Sequence, residues 1–168
     1  MRLPLSTLLL AFIFLSLCAC GTRNIKPGEI PKANEGIAFV RIILNGAPSA
    51  MVHLFTKGDR MGPHKARVDA IEGDHVYAVI MAQGEYDIGQ ISADGRSGIW
   101  PDSSLCPAFK VMEGKTNYTG TLALTFEPSK WFALSRKYQI RCSNSADEEA
   151  EAFNMFINTY GKQNSTRR

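Results

Sequence analysis

Ile37-Ala38-Phe39-Val40-Arg41-Ile42-Ile43-Leu44-Asn45-Gly46 is the stretch on which the fold turns. Residues 37 to 44 are apolar at both parities except Arg41 and rich in β-branched side chains, the pattern of a central strand covered on both faces. Asn45-Gly46 directly after it is a strong hairpin signal. From Gly36 onward the chain repeats this motif: short apolar runs punctuated by Gly, Asn, Asp and Pro, which favours antiparallel strands over helices.

Downstream, Ala50 to Phe55 places Val52 and Leu54 on one face and His53 on the other, and Lys57 to Arg67 is a basic, turn-rich loop. Val68 to Glu72 and His75 to Ala82 flank Gly73-Asp74, a second hairpin signal. Gln83-Gly84 leads into Glu85 to Ile91, where Tyr86 and Ile88 alternate correctly but Ile91 is out of phase, so a bulge is expected at Gly89. Asp94 to Pro107 is a loop carrying Trp100 and Cys106. Phe109 and Val111 alternate with Lys110, and after Glu113-Gly114 the run Tyr118, Leu122, Leu124 and Phe126 marks one buried face. The last expected strand, Trp131 to Cys142, sets Phe132, Leu134, Tyr138, Ile140 and Cys142 against Trp131, Lys137 and Arg141.

Ser145-Ala146-Asp147-Glu148 has the form of a capping box. Phe153, Phe156, Ile157 and Tyr160 then fall on one helical stripe, predicting a helix from Ala146 to Tyr160 ended by Gly161. Seven or eight strands and one amphipathic C-terminal helix make an antiparallel β-sandwich the expected architecture.

Upstream, Met1 and Arg2 precede an apolar run from Leu8 to Leu17, long enough for a signal-peptide core and short for a bilayer span. It ends in Leu17-Cys18-Ala19-Cys20-Gly21, which resembles the lipobox of bacterial lipoproteins. The resemblance implies cleavage after Ala19 and a diacylglyceryl thioether plus an acylated amine on Cys20, with the membrane as a partner. Cys18 competes less well, since Leu17 would then occupy the position that wants a small residue. Gly21, rather than Asp, in the enterobacterial pattern favours the outer membrane, facing the periplasm. The expected organisation is a signal peptide over 1–19, a lipidated flexible linker over 20–35 reaching about 20 Å, the sandwich with its helix over 36–161, and a disordered tail over 162–168.

The order Tyr77 to Ile88 with its Gly84-Glu85-Tyr86 turn, then Phe109-Lys110-Val111 and Tyr118-Thr119-Gly120, resembles small bacterial lipoproteins with a transthyretin-like or carboxypeptidase-regulatory-like β-sandwich. Coverage runs from about Gly36 to Tyr160, and the resemblance brings no catalytic residues with it.

The chain of 168 residues carries 19 basic and 16 acidic side chains, so it lacks the charge surplus of a nucleic-acid binder. Once Cys18 is removed and Cys20 acylated, Cys106 and Cys142 form an even pair, expected to bond in an exported chain. His53, His64 and His75 are spaced by eleven, with no helix or strand period to gather three imidazoles, and read as surface histidines with no metal. No catalytic motif is present, so the chain reads as a non-enzymatic binding or structural module of the cell envelope, with no cofactor beyond the lipid and an envelope protein or glycan as partner. Trp100, Trp131, Lys137 and Arg141 are the candidate partner surface. The basic loop of Lys57, Arg60, His64, Lys65 and Arg67 suits anionic headgroups or an acidic partner, or simple solvation. The alternatives are an inhibitor, for example of lysozyme, that inserts a disulfide-stapled loop over Asp94 to Cys106, and a hydrolase with dispersed residues.

Overall fold

A computed structural model describes residues 23–26, 29–60, 62–93, 98–102, 104–127 and 137–161. The expected signal peptide over 1–19, Cys20, Trp131 and residues 162–168 lie outside them. The chain is mainly β with one C-terminal helix: β1 (Arg23–Asn24), β2 (Glu35–Thr56), β3 (Ala66–Ala82), β4 (Gly84–Ala93), β5 (Phe109–Val111), β6 (Thr116–Phe126), β7 (Tyr138–Ser143) and α1 (Ala146–Tyr160).

The Asn45-Gly46 and Gly73-Asp74 signals do not reverse the chain. β2 continues through the first and β3 through the second, and the two meet: Leu44 pairs with Gly73, then the register resumes with Ser49 opposite Ile71. Residues 45–48 of β2 thus lie against Glu72 alone, a large bulge. Gly46 and Gly73 both hold the positive φ that made these dipeptides look like turns, 76° and 110°, but the two bends coincide in one long hairpin and fold it over without ending either strand. Pro48, which has no N–H to place in a ladder, fits the gap. The true reversal between β2 and β3 is the loop after Thr56.

How far β2 folds follows from its neighbours. Glu35, at its start, pairs with Ala82, while Thr56, at its end, pairs with Tyr86. Ala82 and Tyr86 are four residues apart, so they stand within about 14 Å, whereas a straight strand of this length would span roughly 70 Å. Before the bend β2 pairs on one edge with β6, in parallel, and after it with β4 on that same edge; β3 runs along the other edge throughout. Two leaves result, β3-β2-β6-β7 and β3-β2-β4-β5, with Ile42, Leu44, Val52, Ile91, Leu122 and Leu124 buried between them. Hydrogen bonds join every described strand into one curled sheet, six strands plus the two-residue β1, where an antiparallel sandwich of seven or eight strands was expected. The count falls because two pairs of expected strands are continuous.

Bulges set the remaining phases. The one expected at Gly89 is present: Val52 faces Ile91 but Leu54 faces Ile88, leaving Gly89 and Gln90 opposite His53. A second, unforeseen, lies at Gly120 (φ 110°), where β6 slips from Phe39 opposite Tyr118 to Arg41 opposite Thr121. It turns Tyr118 away from Leu122 and Leu124 onto the outer face, correcting the single buried face read for that strand. Tyr138, assigned to the inner parity, is exposed where β7 begins beside Phe126.

α1 begins as expected. The Ser145 hydroxyl accepts from the Glu148 N–H, the Glu148 carboxylate accepts from the Ser145 N–H, and Gly161 caps the end. The helix lies on the outer face of the first leaf, burying Ala152 and Phe156 against Phe39, Ala78 and Ile80. The Phe39 ring sits 5.1 Å from Phe156 and 5.3 Å from Tyr118; a buried Phe of this kind contributes about 1.5–3 kcal/mol. Phe153 and Ile157, read on the same stripe, remain half-exposed at its flank. The linker is not wholly solvated either: β1 pairs with Val79 and Ile80, and Ile25 is buried in the cluster beneath the helix.

Candidate binding cleft

The second leaf has its own outer face, away from α1, and the bulge opposite His53 shapes it. Alternation on β2 points Val52 and Leu54 inward and His53 and Phe55 outward. Gly89 is required here: a Cβ at that position would run into the Phe55 ring.

The segment after Thr56 folds back over this face. Lys65 donates its N–H to the Leu54 carbonyl at 2.6 Å, Lys57 to the Glu85 carbonyl at 2.9 Å, and Gly58 to the buried Asp87 carboxylate at 3.0 Å. Lys57 and Glu85 also pair side chain to side chain at 2.8 Å, both exposed. With its ends tied down, the loop presents His64 edge-on to His53, ring centroids 4.9 Å apart. The 98–102 segment approaches from the other side, where Ile99 bridges to Ile91 and Trp100 packs on Phe55 at 5.6 Å.

Arg60 joins the two segments, donating from Nη1 to the Pro101 carbonyl at 3.0 Å. Its Nη2 is buried with no hydrogen-bond partner among the described residues. An unpaired buried donor on a charged group is costly. The result is an open cleft of about 310 Å³ lined by His53, Phe55, Arg60, His64, Gln90 and Trp100, with Gly62 and Pro63 at its lip. Burial first, and then the fields of His64 and Arg67, hold the His53 imidazole below its ordinary pKa, so at neutral pH it is uncharged, with one nitrogen free to accept and one to donate. Imidazole, indole, phenyl, amide and guanidinium groups in one concavity are suited to grip a ligand through stacking and directed hydrogen bonds.

Of the proposed partner residues, Trp100 lies in this cleft and is 47% exposed. Lys137 and Arg141 belong to the β7 edge of the other leaf, both exposed, and do not share a surface with Trp100; Trp131 lies outside the described residues. His75 stands apart, against Tyr77 and the Glu72 carbonyl. The meeting of His53 with His64 was invisible in their spacing, because a loop brings them together. The one clue was the order strand, basic loop, strand: a hairpin there returns the loop to the strand it left.

Cys106 and Cys142 are disulfide-bonded with Cα atoms 5.1 Å apart. Cys106 precedes β5, the edge of the second leaf, and Cys142 is on β7, the edge of the first, so the bond staples the open side of the curl. Of the expected loop over Asp94 to Cys106, the described residues Ile99 and Trp100 contact the second leaf at Ile91 and Phe55.

No family model, curated protein or solved structure matches the chain.

Proposed function

We propose that this chain is a lipoprotein of the bacterial cell envelope, acylated on Cys20, facing the periplasm from the outer membrane, and acting as a binding module through the cleft of His53, Arg60, His64 and Trp100. The observation that carries the binding role is Arg60: a guanidinium fixed by Pro101, with Nη2 buried and unpaired among the described residues, at the wall of a cleft whose mouth holds a half-exposed indole. The lining side chains offer stacking surfaces and hydrogen-bond donors, the equipment of recognition rather than of bond making. The lipobox-like Leu17 to Gly21 supports the anchor, and the bridge between Cys106 and Cys142 is consistent with an oxidising compartment. We also read the two leaves as the halves of a β-sandwich of the transthyretin-like kind, supported by the fold-over of β2 and β3 around a shared core.

Two experiments test the reading. Metabolic labelling with a palmitate analogue should mark the wild type and not Cys20→Ser, which should accumulate uncleaved; undiminished labelling would move the site to Cys18 or remove the anchor. For the cleft, crosslinking in whole cells should capture an envelope component with the wild type and lose it with the double variant Arg60→Gln/Trp100→Ala. Capture that is indifferent to both substitutions would place the binding surface elsewhere.

A further inference from the structure

We infer that the end of the domain where β2 begins and β3 finishes rests on the lipid bilayer, so that the helix flank carrying Phe153 and Ile157 is a membrane-contact surface. This rests on acylation of Cys20 and adds an orientation to it.

The strand pairing of β1 sets the direction of the tether. Asn24 pairs with Val79 and Arg23 with Ile80, so β1, followed from Asn24 back to Arg23, heads toward Met81 and Ala82, the end at which Glu35 opens β2. Only Gly21 and Thr22 separate Cys20 from β1, about 10 Å of extended chain. The linker therefore does not hold the domain at a distance: ten of its sixteen residues, 25–34, lie between β1 and β2.

The helix geometry then says what faces that end. Glu151 reaches toward the bend end, where it meets Arg41, itself paired with Asp74. Phe153 and Ile157 follow Glu151 by two and six positions, roughly 200° and 240° around the helix, and so face the opposite way, toward the tether. They are 44% and 45% exposed, and Ala146 and Ala150 continue the same uncharged stripe. Two further exposed apolar side chains belong to this end: Met112, 49% exposed, in the turn whose Gly114 N–H donates to the Glu35 carbonyl, and Ile30, 81% exposed, in the segment returning to β2. Lys32 and Lys115 stand at this end beside the acids Glu35 and Glu113, whose carboxylates accept the backbone N–H groups of Lys32 and Asn34. Exposed apolar side chains ringed by charges of both signs, on the end that a short lipidated tether draws inward, suit an interfacial contact.

Amide hydrogen exchange on the wild-type domain from Cys20 onward tests this without lipoprotein processing. The Cys20 thiol is coupled to a maleimide-headgroup lipid in vesicles of phosphatidylethanolamine and phosphatidylglycerol at three to one, and compared with the same domain capped by iodoacetamide. Tethering should reduce deuterium uptake in peptides over 29–34 and 150–160 and leave those over 69–74, at the bend, unchanged. Ile157→Trp, with Trp100 and Trp131 replaced by Phe, should be quenched by brominated acyl chains, whereas Ile71→Trp in the same background should not. Uptake unchanged everywhere, or equal quenching at 71 and 157, overturns the orientation. Protection of the same peptides in the untethered domain at equal concentration overturns it too, assigning this end to a second copy of the chain. Absence of palmitate labelling from the wild type in cells, or its persistence in Cys20→Ser, would instead defeat the anchor itself, so the two failures are told apart.

Discussion

Arg41 in β2 and Glu151 in α1, 110 positions apart in the chain, meet side chain to side chain, and the same guanidinium grips Asp74 in β3 with Nε and Nη2 at 2.9 and 2.6 Å. The one charge in the apolar 37–44 run of β2 is thereby the clasp between helix and hairpin.

Arg41 is largely buried while its acids are partly exposed, so Arg41→Met should cost about 1–2 kcal/mol, between the values of an exposed and a buried pair. Its hydrogen bond to Asp74 holds that carboxyl below its ordinary value. The stabilisation is therefore complete above the unfolded carboxylate pKa of about 3.9 and is lost as pH falls below it. Acid unfolding followed by circular dichroism should show a flatter profile near pH 3 for Arg41→Met than for the wild type; identical profiles would remove the clasp.

At Gly46 a Cβ would strike the Phe126 carbonyl, while at Gly58, with a similar positive φ of 78°, it would meet nothing within 4 Å. Gly58→Ala should cost about 1–2 kcal/mol, the left-handed strain alone. Gly46→Ala adds the clash and should cost clearly more. Urea melts of the pair check this, and equal losses would show that β6 yields at the bend.

Reducing the bridge between Cys106 and Cys142, or replacing both residues by Ser, should lower stability by about 3–4 kcal/mol in the chain-entropy model. Because the bond joins the edges of the two leaves, exchange protection should fall first in β5 and β7, with β2 and β3 little changed. Thermal melts with and without reductant, with thiol counting on the unfolded domain, provide the measurement.

His53 favours its neutral form in the folded state. Its contribution is present above the unfolded imidazole pKa of about 6.5 and declines as pH falls through the lower folded value. A proton NMR titration should place the His53 midpoint below 6.5, and the melting temperature should drop between pH 7 and 5 less in His53→Gln than in the wild type. A midpoint at or above 6.5 would contradict the burial that His64 and the loop impose.

Local patterns were legible wherever neighbours in sequence are also neighbours in space. The helix from Ala146 to Tyr160 with its Ser145 and Glu148 box, the mainly β class, and the bulge that restores Ile91 to the core all follow from periodicity and cap chemistry. So does the chemical suitability of Cys106 and Cys142 for pairing. Tertiary structure alone decided that Asn45-Gly46 and Gly73-Asp74 bend a strand rather than end it, because a positive φ is common to turns and bulges and only the partner strand distinguishes them. The same holds for Gly120, which moves Tyr118 under the helix through a parallel pairing that no local pattern records. The cleft belongs to this second group: His53, Arg60, His64 and Trp100 acquire their relation from a loop fastened at both ends, through backbone hydrogen bonds that any residue can make and that leave no trace in side-chain order.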